Sequence, residues 1–211
     1  TNRLAEYAPR VHRVAVVARG TPRLAVNLGS NQQATGLGRL AANVGAAGTG
    51  AAVQKKLADN LPPSAMREFA WDQVGRQSAG RVNVEFIPGP SDDADAQLDV
   101  EVESYGVGAE APENPPVVFV RLKATLTFKA DGTRIWDKTT YVELPVAQII
   151  RMGFRSGVYE TPAEFRVNQG ISNLASLLAL PGTHLAELVR FAGATAASRL
   201  VDALAGGLGR R

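Results

Sequence analysis

The residues of this chain that could do chemistry are few and scattered. Its two histidines, His12 and His184, lie far apart in sequence. Each reads as a structural or surface residue rather than a metal ligand or proton shuttle. Carboxylates gather in "DDADAQLD", residues 92–99. Calcium would find oxygen ligands there, but the spacing of an EF-hand and its distal glutamate are missing, so the stretch reads as a solvated acidic loop. Glu101 and Glu103 fall on one strand face, as a paired acid–base site would require; polar-outward alternation accounts for them as well. No G-x-S-x-G elbow occurs. Cysteine is absent, which removes thiol nucleophiles, thiolate metal sites and disulfides.

One glycine motif invites a test. "GLGRLA", starting at Gly36, imitates the G-x-G-x-x-A phosphate loop. That loop must follow its strand directly, and an acidic residue must end the next strand. Here residues 29–35 intervene after Leu28, and Asp59 sits in "LADNLPP", which is no strand end. No P-loop signature is present either. The residues therefore point to no cofactor, no metal and no enzyme activity.

The elements behind these residues are easier to read. "RVAVVA" at 13–18 and "RLAVNL" at 23–28 read as short strands joined through Gly20-Thr21-Pro22. The glycine-rich stretch 29–53 reads as loop or partner-contact region, because each interior glycine costs a helix about 1 kcal/mol against alanine. Residues 63–80 read as a helix capped by Ser64, with Met66, Phe69, Ala70 and Val74 on one face. The period then switches to two. "RVNVEFI" at 81–87, "QLDVEVESYGV" at 97–107, "PPVVFVRLKATLTFKA" at 115–130 and "TRIWDKTTYVEL" at 133–144 alternate apolar and polar residues. Asp131-Gly132 suits the turn between the last two. Phe128 shares a face with either Ile135 or Trp136, and parity alone does not choose. Residues 145–170 read as a connector containing a short helix, with Thr161 starting another. A long apolar stripe from Leu185 to Leu204 marks a final helix begun at Thr183 and stopped by Gly206-Gly207.

Charge limits the partners. Residues 1–80 hold ten Lys/Arg and four Asp/Glu, whereas residues 81–145 hold six and twelve, and the net charge is only +3. There is no basic run interleaved with aromatics, so nucleic acid is not an expected partner. No apolar stretch reaches the roughly 18 residues that a membrane-spanning helix needs.

Three stretches together carry a resemblance: "DVEVESY" at 99–105, "GTRIW" at 132–136, and "AGATAASRLVDAL" at 192–204. In this order the chain resembles bacterial envelope lipoproteins with an α/β domain of the TolB amino-terminal type. The curli-secretion lipoproteins and the auxiliary lipoproteins of ABC-type lipid transporters are of this kind. The resemblance implies a periplasm-facing protein held on the inner leaflet of the outer membrane by a lipidated cysteine, which this chain does not contain. It also implies an envelope protein partner, with a homo-oligomer as a further option.

These readings give one α+β domain over residues 1–211. It has an antiparallel sheet of four or five strands and helices packed on one face. The expected role is a non-catalytic partner-binding component of an envelope assembly or transport system. Gly36, Gly38, Arg39, Arg151, Phe154 and Arg155, in the two connecting segments, are the candidate contacts. The competing expectation is a periplasmic small-molecule or lipid-binding module using the space between sheet and final helix.

Overall fold

The computed structural model describes residues 2–28, 36–111, 113–155 and 171–209, with residues 28, 36–47 and 153–155 described by backbone alone. Six strands form one sheet: β1 (Arg13–Arg19), β2 (Arg23–Leu28), β3 (Glu85–Pro88), β4 (Ala96–Ala109), β5 (Val117–Phe128) and β6 (Thr133–Pro145). The order is β3-β1-β4-β5-β6. β1 runs along the first half of β4, and β2 continues in line along the second half.

The expectation of an all-antiparallel sheet needs correction. β4, β5 and β6 form the antiparallel meander, but β1 and β2 are parallel to β4, and β3 is parallel to β1. The reason lies in the connection. Between β2 and β3 the chain makes two long helices, α2 (Gly36–Asn60) and α3 (Pro63–Arg81), which return it to the end of the sheet where it started. A crossover of that length yields parallel neighbours.

The meander follows the alternation in its sequence. Leu98, Val100, Val102, Val118, Val120, Leu122, Ala124, Leu126 and Phe128 all face the core and are buried. The β5–β6 turn uses Gly132 at φ +69°, and the Asp131 carboxylate accepts the Thr133 N–H at 2.9 Å. Both candidates for the core face of β6 are buried. A bulge inserts Ile135 into β6, so that Trp136 pairs with Leu126 while Ile135 is also enclosed.

Helices cover one face. α3 lays Met66, Ala70, Val74 and Ser78 inward, and its Trp71 indole N–H donates to Val16 O at 2.8 Å. α5 (Gly182–Leu208) buries the whole Leu185–Leu204 stripe over β5 and β6. The N-terminal turn α1 (Leu4–Tyr7) closes the hairpin end of the core, and the short helix α4 (Val146–Arg155) follows β6.

Boundaries differ from the sequence reading in physical ways. The stretch read as loop at 29–53 is helical from Gly36 onward. Its C-terminal half buries Val53 and Leu57, and tertiary packing there outweighs glycine's poor propensity. α3 begins at Pro63 with Pro62 as N-cap, not Ser64, and runs through Arg81, so β3 starts only at Glu85. α5 begins at Gly182 after Pro181 and continues past Gly206-Gly207 to Leu208. Within this helix Gly207 makes room for Leu4, since a Cβ there would stand 2.3 Å from a Leu4 methyl. The expected helix start at Thr161 lies outside the described residues.

Candidate functional site

The sheet face opposite the helices carries the polar half of the meander strands and the apolar Ala15 and Val17 of β1, and pairing sets those side chains in rows. One row runs Val17, Asp99, Thr125, Asp137; the next runs Arg19, Glu101, Lys123, Thr139. Between them lies an open groove of about 340 Å³ lined by Arg19, Asp99, Glu101, Lys123, Thr125 and Arg134.

Charge on this face runs in stripes along the strands. β4 presents Asp99, Glu101 and Glu103. It is flanked by Arg19 and Arg23 on β1 and β2, and by Arg121 and Lys123 on β5. Arg19 Nε meets Asp99 Oδ1 at 2.9 Å, where Gln97 Nε2 also donates at 2.8 Å. Arg121 Nε meets Glu103 Oε2 at 2.6 Å, and Arg134 Nε lies 3.5 Å from Asp137 Oδ1. Such solvent-washed pairs contribute only about 0–1 kcal/mol each. Their effect is to hold charge in a fixed pattern. The pattern suits a surface of mixed charge and opposes a polyanion.

An aromatic end adjoins the stripes. Phe119 is buried on this face across from Gly106, with its ring 6.4 Å from that of Tyr141. Tyr141 is 51% exposed, and its hydroxyl donates to Glu143 Oε2 at 2.5 Å.

The space between sheet and α5 is occupied by side chains. Leu185, Val189, Ala192, Ala196, Leu200 and Leu204 meet Leu122, Leu126 and Val142 in one contiguous core, all fully enclosed.

The sequence-derived candidates fall elsewhere. Arg151 is exposed on α4, its Nε donating to Ala147 O at 3.2 Å, and it does not line the groove. Gly36, Gly38 and Arg39 open α2, and Phe154 and Arg155 end α4; these five are described by backbone alone. The acidic loop serves the fold. Asp95 Oδ2 accepts the backbone N–H groups of His12 and Arg13 at 2.8 and 2.9 Å, which fixes the entry of β1. Among the described residues no group of three His, Asp or Glu is placed to hold a metal. No described helix is long and apolar enough to cross a membrane. From sequence, Asp99 reads as part of a solvated acidic loop and Glu101 as polar-outward alternation, and Arg19, Lys123, Thr125 and Arg134 escape notice because each obeys the same alternation. The available signal was opposite charge at facing positions of neighbouring strands, Glu101 against Lys123 above all.

No protein-family model and no curated protein matches this chain. Among solved structures it is similar to protein XCC0632 from Xanthomonas campestris, of the family DUF330, at 13% identity over 93% of this chain and 82% of that one, TM-score 0.42. It is similar to the hypothetical protein CT253 from Chlamydia trachomatis at 10% identity over 94% and 98%, TM-score 0.43. It is also similar to the lipoprotein GNA1162 from Neisseria meningitidis at 15% identity over 70% and 95%, TM-score 0.27. All three likenesses fall below 25% identity and below a TM-score of 0.5, and none shows a family.

Proposed function

We propose that this chain is a non-catalytic, partner-binding component of a bacterial envelope assembly or transport system. It faces the periplasm and is held at the outer membrane through a lipidated cysteine that is not among residues 1–211. The envelope assignment rests on the sequence resemblance at 99–105, 132–136 and 192–204. The partner-binding reading rests on one observation, the striped face around the Arg19–Glu101–Lys123 row, over which no described helix packs.

Mechanistically, the helices make the sheet rigid from behind, and the face presents preset charges to a protein of complementary pattern. Interfaces of this kind gain on-rate and register from charge, and affinity from a few desolvated anchors. Phe119 and Tyr141 supply an anchor of that type beside the groove.

Native mass spectrometry of the protein, gently extracted from its own host's envelope, tests the proposal. Recovery with an acylated N-terminal cysteine and a second protein supports it. Recovery as an unacylated soluble monomer carrying a small ligand overturns it in favour of the binding module.

A further inference from the structure

We propose that the free edge of β6 is a self-association site, through which two copies of this chain join their sheets antiparallel about a two-fold axis at Tyr141. This inference stands on the geometry of the edge and does not rest on the envelope reading.

The edges of this sheet are unequal. β3 is four residues long, ends in Pro88 and is tied to β1 by Arg13–Glu85, and these are ordinary devices for blunting an edge. β2 is only six residues long, and α2 packs over its face, with Gly50 against the Val26 side chain. β6 also ends in a proline, Pro145, and has a bulge at Ile135, but between them it runs long and regular. Among the described residues its outer side meets only the N-terminal segment, by an isolated bridge of Asn2 to Trp136. From Lys138 to Leu144 it holds no proline, and its register with β5 is unbroken.

Which groups point outward follows from one hydrogen bond. Arg3 N–H donates to Ile135 O at 2.7 Å, so Asn2 and Trp136 form a non-hydrogen-bonded pair. The backbone groups on either side of Trp136 therefore face away from β5. Alternation continues along the strand, so Thr139, Tyr141 and Glu143 direct both N–H and C=O at the open side.

The occupant follows from the limits of the stretch. It is bounded by the N-terminal bridge at one end and by Pro145 at the other, and its midpoint is Tyr141. A second copy laid antiparallel about that midpoint uses all of it. Thr139 then opposes Glu143 of the second copy, and Lys138 opposes Leu144 of the second copy, with no like charges facing. Slipping by two residues one way sets Asp137 against Glu143 of the second copy. Slipping the other way sets Pro145, which has no N–H, against Thr139 of the second copy and so breaks a pair within the regular stretch. The centred register also covers Tyr141, the most exposed of the large apolar side chains among the described residues.

The test uses Tyr141→Pro. It removes an N–H that points away from β5, so the β5–β6 ladder is retained. Tyr141→Lys serves as a second variant that keeps the backbone donor and adds a charge at the axis. Sedimentation velocity and native mass spectrometry read the assembly, and hydrogen exchange reads the amides of Thr139, Tyr141 and Glu143. The expected result is a wild-type dimer, with those three amides increasingly protected as concentration rises, and loss of the dimer in both variants with circular dichroism unchanged. If Tyr141→Pro fails to fold, Tyr141→Lys and the wild-type exchange data decide. A wild type that is monomeric with fast-exchanging edge amides overturns the proposal. So does a dimer that survives Tyr141→Lys, or protection of these amides only by a strand of another protein.

Discussion

Tyr105 is the most informative single side chain in the core. It is fully enclosed, and its hydroxyl donates to Leu61 O at 2.8 Å, just beyond the end of α2. Burial pushes its phenol up to about 12. A folded pKa above the unfolded one, about 10 for tyrosine, means the contribution is complete below that lower value and is lost as pH rises from there through the folded pKa. Urea unfolding at neutral and strongly alkaline pH should show this loss in the wild type and a much smaller one in Tyr105→Phe. At neutral pH that variant should lose about 1–3 kcal/mol, because Leu61 O is left buried without its donor. Ser78 and Thr140 present the opposite case. Both hydroxyls are enclosed without a hydrogen-bond partner. Ser78→Ala and Thr140→Val should therefore leave stability unchanged or raise it by about 1 kcal/mol. A clear loss of melting temperature in either variant would mean that the hydroxyl has a partner.

At the scale of elements, the joint between β2 and β4 is the tightest. A Cβ on Gly106 would stand 1.9 Å from the backbone oxygen of Ala25, and Gly106 sits at φ +151°. Backbone cannot yield as a side chain can, so Gly106→Ala should destabilise on the order of 3 kcal/mol and release β2 first. Hydrogen exchange resolved by strand would detect this as early loss of protection over residues 23–28. The same joint shows where sequence reading stopped. Alternation in 97–107 and 115–130 disclosed the meander because half-buried strands write their two faces into alternate residues. "RVAVVA" is apolar on both faces, so it carried no sign of direction. The clue to parallel pairing was the helix at 63–80 standing between two strands of one sheet. α2 was misread because its glycines weigh against a helix locally, while Val53 and Leu57 fix it through contacts with distant segments.

At the scale of the whole molecule, the chain is two-sided. One face of the sheet is closed by helices over a filled core. Leu200→Ala, at the centre of that core, should cost about 2–5 kcal/mol. The other face carries charge that contributes little to folding. Reversing Arg19 and Lys123 to glutamate should leave the chain folded, at a cost of about 1–2 kcal/mol from the like charges then facing Asp99 and Glu101. If the proposed partner docks here, the double variant should sharply weaken its capture, and wild-type capture should itself weaken with salt. The groove was hidden in the sequence for the same reason that the core was visible. An exposed Glu or Lys on a strand looks alike whether it meets solvent or a partner, and only the register between β4 and β5 brings Glu101 and Lys123 together.

The most direct test of this division of labour is photo-crosslinking in the native host's envelope from a probe at Thr125, on the groove floor, with a second probe at Phe191 on the outside of α5. A partner-binding sheet face predicts one discrete protein adduct from Thr125 that disappears with the Arg19→Glu, Lys123→Glu double variant, and none from Phe191. An adduct from Phe191 with silence at Thr125 would contradict it.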